Sequence, residues 1–473
     1  MKIFPSKTQW TKWSFPSKIT YVGFVIGVMA LLFAIITWVF SNTTSSIRHQ
    51  EIVDKMNEQQ ALQQALIEIL LVTRPQDASE NLKEEIRTVN EWITNPKTAE
   101  DYFLKGYAAH IDKNYEKAIE HYQKSIELKS DANVYNNIGA AYNEISKYDE
   151  AIQFFQKAIQ INPELAEAYN NMGLTYNNIG KYDEAFQFYR KSLELKNPDE
   201  TFVYINIGVS YNQIGKYDEA IQFYQKAIQL KPDFAEAYNN IGIAYRNKGK
   251  YNEAIQYHQK AIQLKPDLAE AYKDMGIAYV DIGKYDDAIQ FFQKAIKFNP
   301  ALANVYYSMG IAYNNIGKYD EAILFYQKAI VLNPNNADAD AYYNIGLAYA
   351  NQDKYDEAIQ YFQKAIQIDP ELAEAYYIMG ISYRRIVKID EAIQSYQKVI
   401  QFNPDHADAY NNLGIAYVLK GKFDEAIQSY QKAIQIKPDF ANAYSGMGLV
   451  YQMLGNQAKA DECFQKADML EKK

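Results

Sequence analysis

Side chains able to do acid–base, nucleophilic or metal chemistry are few and scattered. The five histidines (His49, His110, His121, His258, His406) include no pair at metal-ligand spacing, and the single cysteine, Cys463, excludes an intrachain disulfide. No P-loop, nucleophile-elbow or dinucleotide-binding glycine motif occurs. Adjacent carboxylates such as Asp218-Glu219 recur, but at the start of an expected helix, where acid complements the helix dipole. The sequence therefore calls for no catalytic residue, no metal and no cofactor. What recurs instead is recognition chemistry. Asn137, Asn171, Asn206, Asn240, Asn344 and Asn412 share one place in a repeating pattern. An amide both donates and accepts, so such a row can hold the backbone of an extended peptide without reading its sequence. Three residues further on runs an apolar ladder: Tyr107, Ala140, Leu174, Val209, Ile243, Ile277, Ile311, Leu347, Ile381, Ile415 and Leu449. Apolar residues on a nominally exposed face mark a binding surface. Crowding of successive helices would bury them instead, and the sequence leaves both open. Arg384 and Arg385 stand beside the ladder, either to pair with an acidic side chain or to be solvated.

The pattern that positions these residues is a 34-residue copy, plain in Ala235–Leu268 (AEAYNNIGIAYRNKGKYNEAIQYHQKAIQLKPDL). Its phase is set by Gly106, Gly139, Gly173, Gly208, Gly242, Gly276, Gly310, Gly346, Gly380, Gly414 and Gly448, which makes eleven copies. With Ala235 as position 1, apolar or small residues at positions 3, 4, 7, 8, 10, 11 and 14 fall on one side of a helix. Gly249 suits a left-handed C-terminal cap, and glycine recurs there in seven copies. Acid then opens a second helix, whose stripe is Ala254, Ile255, His258, Ala261 and Ile262, and Pro266 ends it. One hairpin cannot bury both stripes, so copies must stack. Positions 2, 5, 6, 9, 12 and 13 face away from the hairpin core. They carry the amides, the ladder and the two arginines.

Tyr238, Ile241-Gly242, Tyr245, Ala254, His258, Ala261 and Pro266 sit where tetratricopeptide repeats carry their signature residues, and the resemblance covers residues 99–473. It implies an all-α fold, a right-handed α-solenoid superhelix of paired antiparallel helices. The concave groove of such a superhelix, lined by first helices, binds extended peptides or partner helices. The amide row is similar to the asparagine ladder of O-GlcNAc transferases, without their catalytic domain. The chaperone-carboxylate variety is a poor match, since position 9 is never Asn and only Lys273 is basic at position 5.

Departures are local. The first copy has Lys113 at the turn glycine, two extra residues enter around Ala337-Asp338, and the ninth copy has Ile378, Arg384, Arg385, Val387 and Ile389. Val387 implies either backbone strain or a different turn. The last helix, expected over Gln457–Lys473, supplies its own polar outer face.

Residues 1–20 form a basic tail of four lysines without acid, and Tyr21–Phe40 is a twenty-residue uncharged run of bilayer length. A signal peptide would have a shorter apolar region and a small-residue cleavage site, so an anchor helix is expected. Four lysines precede the span and two cations follow closely, which puts the N-terminus in the cytoplasm and the repeats outside it, periplasmic in a bacterium. Gly23 and Gly27 form a GxxxG that would let two spans pair as a homodimer. Residues 41–98 read as a polar exit and a capping hairpin: a helix from Ile47 to Val72, then a second one started by Asp77 and Glu80 and carrying Leu82, Ile86, Val89 and Ile93. Net charge is −9, and without the tail 45 basic residues face 58 acidic ones, which argues against nucleic acid as a partner. Of the 42 tyrosines, 35 occupy positions 4, 11, 17 and 24, where they pack. The expected function is a membrane-anchored scaffold that binds segments of other proteins. A structural spacer that self-assembles is the alternative, as is an accessory subunit of a glycosyltransferase, secretion or polysaccharide-export complex.

Overall fold

The computed structural model describes residue 75 and residues 79–333 and 339–471. The basic tail, Tyr21–Phe40 with Gly23 and Gly27, the helix expected over Ile47–Val72 and the Ala337-Asp338 insertion lie outside the described residues. Among the described residues every regular element is a helix, twenty-three in all, and none is long and apolar enough to cross a membrane. The chain divides into two compact blocks, one through Leu195 and one from Lys196 onward.

Both blocks use one hairpin, and the Ala269 copy shows its logic. Its first helix spans Ala269–Asp281 and its second Tyr285–Phe298. Gly276 sits at the crossing, where a Cβ would lie 2.5 Å from the ring of Phe292. Only glycine lets the two backbones approach so closely, and Phe292 fills the space with no exposure. Burial of that ring alone stabilises the copy by roughly 2–3 kcal/mol. The same meeting of glycine with Tyr, Phe or His recurs from Gly106 to Gly448.

Between the helices Gly283 adopts φ +74, and the N–H of Lys284 donates back to the carbonyl of Tyr279 at 2.9 Å. This left-handed cap occurs in every copy. Lys113 (φ 58), Ser146 (φ 59), Asp353 (φ 59) and Val387 (φ 63) make it without glycine. Val387 therefore forms the standard turn under strain, with the Lys388 N–H on the Tyr383 carbonyl at 2.9 Å.

A second aromatic pair closes the hairpins from the Ala132 copy to the Ala339 copy on their other edge. Position 11 tyrosines stack on the ring at position 23: Tyr142 on Phe154, Tyr176 on Phe188, Tyr279 on Phe291 and Tyr313 on Phe325, with centroids 5.2–5.3 Å apart. Within each block a second helix packs on the first helix of the following copy.

The first block also contains Glu80–Trp92, whose Leu82, Ile86 and Val89 join Phe103, Leu104 and Tyr107 in one buried cluster. The helix packs on the first copy, and the other helix of the expected capping hairpin lies outside the described residues. The cap of Glu80–Trp92 differs from the Asp77–Glu80 pair expected. Ser79 Oγ accepts the Leu82 N–H at 3.2 Å, while Glu80 reaches forward to Lys83 at 2.7 Å.

Candidate functional site

The apolar ladder at position 9 is neither buried nor free. In the second block Val209, Ile243, Ile277, Ile311, Leu347, Ile381 and Ile415 are all half-buried, and Leu449 in the last copy is exposed. Each projects from the middle of a first helix, flanked one turn away by positions 5, 6, 12 and 13. One side of Ile277, Ile311, Ile381 and Ile415 packs on neighbouring core residues, and the other remains in solvent. In the first block Tyr107 is fully buried, while Ala140 and Leu174 are half-buried. A continuous apolar stripe therefore runs along the first helices of the second block.

The asparagine row departs from expectation. Asn137 and Asn171 are buried, so neither can meet a peptide backbone. Position 6 instead pairs with position 5 of the preceding copy. Asn171 Nδ2 donates to Asn136 Oδ1 at 3.0 Å, Asn344 Nδ2 to the Tyr307 hydroxyl at 2.9 Å and Asn412 Nδ2 to the Tyr377 hydroxyl at 2.9 Å. Where position 6 is acidic the direction reverses, and Asn239 Nδ2 donates to Asp274 Oδ2 at 2.8 Å. Asn171, Asn344 and Asn412 are thus cross-links between adjacent first helices. Asn206, Asn240, Asn344 and Asn412 are half-buried. Asn412, which gives one N–H to its neighbour, keeps further donor and acceptor capacity, whereas Asn344 gives its second N–H to the Asp340 carbonyl at 2.9 Å and keeps only its oxygen.

A second polar ladder runs one turn away. Asn178 Nδ2 donates to Asn143 Oδ1 at 3.3 Å, Asn247 Nδ2 to Asn212 Oδ1 at 3.3 Å, and Arg246 lies 3.6 Å from Asp281. These bonds join positions 12 and 13 of consecutive copies. Arg384 and Arg385 occupy the same positions in the Ala373 copy without a carboxylate among the described residues. Arg385 is exposed. Arg384 is half-buried, its Nε enclosed without a partner, close to Tyr396, whose hydroxyl burial pushes up to about 12 against the pull of that cation.

His258 takes the place of the Tyr or Phe that meets the crossing glycine. Its ring lies against Gly242 with no exposure. Because Asn239 gives its N–H to Asp274, its oxygen faces His258, and the imidazole Nδ1–H donates to it at 2.7 Å. Lys273 completes the chain, 3.0 Å from Asp274 Oδ1. Nε2 is enclosed without a partner, and burial pushes the histidine down to about 4. It is a neutral spacer in the core. His110, buried beside Tyr115 and Tyr122, is likewise pushed down to about 4. Among the described residues no group of His, Cys, Asp or Glu is placed to hold a metal.

Family models described as "TPR repeat" match residues 208–249, 388–421 and 416–455. Models described as "tetratricopeptide repeat" match residues 100–131, 132–165, 166–197, 233–301, 303–336, 339–372 and 441–473. The chain belongs to the tetratricopeptide-repeat proteins. No curated protein matches it. Solved structures similar to it include that of YrrB, described as a TPR protein with an unusual peptide-binding site, at 27% identity over 39% of this chain and 95% of that chain (TM-score 0.35). MamA protein is 35% identical over 37% of this chain and 94% of that chain (TM-score 0.32), and yeast Tom70 is 17% identical over 79% and 92% (TM-score 0.35).

Proposed function

We propose that this protein is a membrane-anchored scaffold that binds extended or helical segments of other proteins along the first helices of an eleven-copy tetratricopeptide superhelix. The observation that carries the reading is the position 9 ladder, half-exposed through seven consecutive copies from Val209 to Ile415. A solvent face of that length would ordinarily be polar, and an unbroken apolar stripe loses free energy unless a ligand covers it. The half-buried amides beside it supply polar contacts to a peptide main chain. Anchoring rests on the uncharged run Tyr21–Phe40. The four lysines before it place the N-terminus in the cytoplasm and the repeats on the far side. Gly23 and Gly27 would let two such spans pair.

The test is site-specific photo-crosslinking of the full chain in its native membrane, with benzoylphenylalanine at Ile277 or at Gln290, which is exposed on the second helix of the same copy. A protein captured from position 277 and absent from position 290 supports the scaffold. Capture from position 290 alone would refute it. Protease access to the repeats in intact cells reads the topology.

A further inference from the structure

The copies differ at one place that no signature residue marks, position 23 of the second helix. From the Ala132 copy to the Ala339 copy it is Phe or Tyr, stacked on the position 11 tyrosine at 5.2–5.4 Å with ring planes within 27° of parallel. The tyrosine at position 4 flanks the same ring from the other side, as Tyr306 does Phe325 at 6.3 Å. The lysine at position 26 covers it: Lys226 over Phe223 at 4.3 Å, Lys364 over Tyr361 at 4.6 Å, Lys157 over Phe154 at 5.0 Å and Lys294 over Phe291 at 5.1 Å. The copies that contain Tyr135, Tyr204 and Tyr342 therefore build a slot of two tyrosines and a lysine and fill it with their own ring. In the Ala269 copy Tyr272 stacks on Phe298, and the slot for Phe291 is Tyr279 and Lys294.

In the Ala373 copy position 23 is Ser395. Its hydroxyl donates to the Glu391 carbonyl of its own helix at 2.7 Å and adds nothing to the slot. Tyr376, Met379 and Tyr383 line an open cleft of about 530 Å³. Tyr376 lies 5.9 Å from Phe402 further along the second helix, and Lys398, at the rim, sits 5.8 Å over that same Phe402 and donates to Gln401 Oε1 at 3.0 Å. Among the described residues no ring or cation covers Tyr383, whose hydroxyl accepts from Gln363 at 3.3 Å. The Ala441 copy repeats the loss with Cys463 and a cleft of about 520 Å³, but there Lys459 already lies 5.1 Å over Tyr451.

We infer that the Ala373 cleft is a binding slot for an aromatic side chain, Phe, Tyr or Trp, presented by an extended segment of a partner protein. The occupant follows from the molecule's own copies: walls that hold a phenyl or phenol ring elsewhere are present here without one. An incoming ring would lie on Tyr383, beside Tyr376, with the Lys398 ammonium swung from Phe402 onto it as the equivalent lysines lie on their rings. This site is separate from the position 9 ladder. Tyr376, Met379 and Tyr383 form one stripe of their helix, and Ile381 projects from the opposite side of the same helix.

The test follows the ¹³C-methyl resonance of Met379, which lines the cleft, in the full chain in detergent. Probes are N-acetyl-phenylalaninamide and, as the aliphatic control, N-acetyl-leucinamide. The expected result is a saturable ring-current shift with the aromatic probe and at least tenfold weaker binding of the aliphatic one. Ser395→Phe restores the ring of the other copies, so it should fold, keep its melting temperature and lose the shift. Tyr383→Leu removes the stacking wall and should weaken the probe at least threefold, which keeps the test decisive should Ser395→Phe misfold. No saturable shift, equal binding of both probes, or binding unchanged in Ser395→Phe would each overturn the assignment.

Discussion

The Ala269 and Ala373 copies are the same hairpin, and they differ where it matters. The Ala269 copy follows every rule of the pattern: glycine at the turn (Gly283), a ring on Tyr279 (Phe291), and its one first-helix cation, Lys273, paired with Asp274. The Ala373 copy has Val387 in a left-handed turn, Ser395 in place of the ring, and Arg384 with Arg385 lacking carboxylates among the described residues. Yet its crossing is intact. Gly380 meets Tyr396 as Gly276 meets Phe292. The fold depends on the crossing, so departures are tolerated at the turn and the outer edge, and three of them gather in one copy. Strain and vacant packing that persist together in an otherwise regular array are what a site under functional constraint looks like.

Exchanging features between copies tests this, and the largest effect should come from pH. His258 is pushed down to about 4 in the fold from 6.5 in a free chain, so the unfolded chain binds the extra proton between those values. Stability is fully present above about pH 6.5 and is lost as pH falls toward 4, by up to about 3 kcal/mol. His258→Phe, which gives the Ala235 copy the ring of its Ala269 neighbour, should flatten that part of the melting-temperature profile. His110 keeps its own share in the same window.

Next comes the outer ring. Phe291→Ser turns the Ala269 copy into the Ala373 type and should cost about 2–3 kcal/mol in denaturant unfolding, since a half-buried stacked ring is lost. The reverse change, Ser395→Phe, should alter stability by less than about 1 kcal/mol, because the slot is already built. Equal and opposite effects would mean that the Ala373 copy is merely a weakened one.

The turn should give the smallest change. Val387→Gly relieves a β-branched residue at φ 63 and should stabilise by about 1 kcal/mol, and Gly283→Val should cost at least as much. Calorimetric melting of the pair would show whether Val387 is strained.

The hairpin, its crossing glycines and its left-handed cap were legible in the sequence because each depends on residues within one copy. Whatever depends on neighbouring copies was not. The amides at Asn171, Asn344 and Asn412 read as a ligand surface, and they turn out to bond Asn136, Tyr307 and Tyr377 of the copy before. A donor's partner two helices away leaves no trace in its own periodicity. The Ser395 slot was missed for a different reason. Position 23 varies between Phe and Tyr, so its loss attracts notice only once the stacking on position 11 is seen. Aligning the copies column by column would have exposed Ser395, Ser429 and Cys463 as the small residues there. Val387 drew attention because β-branched residues avoid left-handed backbone, but the sequence alone left strain and a different turn equally open.

The scaffold reading rests on position 9 being a surface, and the most direct measurement compares two perturbations of the second block. Ile277→Lys with Ile311→Lys places charge on the half-exposed ladder, whereas Ile241→Lys places it at a residue with no exposure. If the ladder is a ligand surface, the double variant melts within a few degrees of the wild type and loses the partner crosslinked at position 277, while Ile241→Lys unfolds. If the double variant melts as early as Ile241→Lys, the ladder is core, and the apolar stripe is packing between helices.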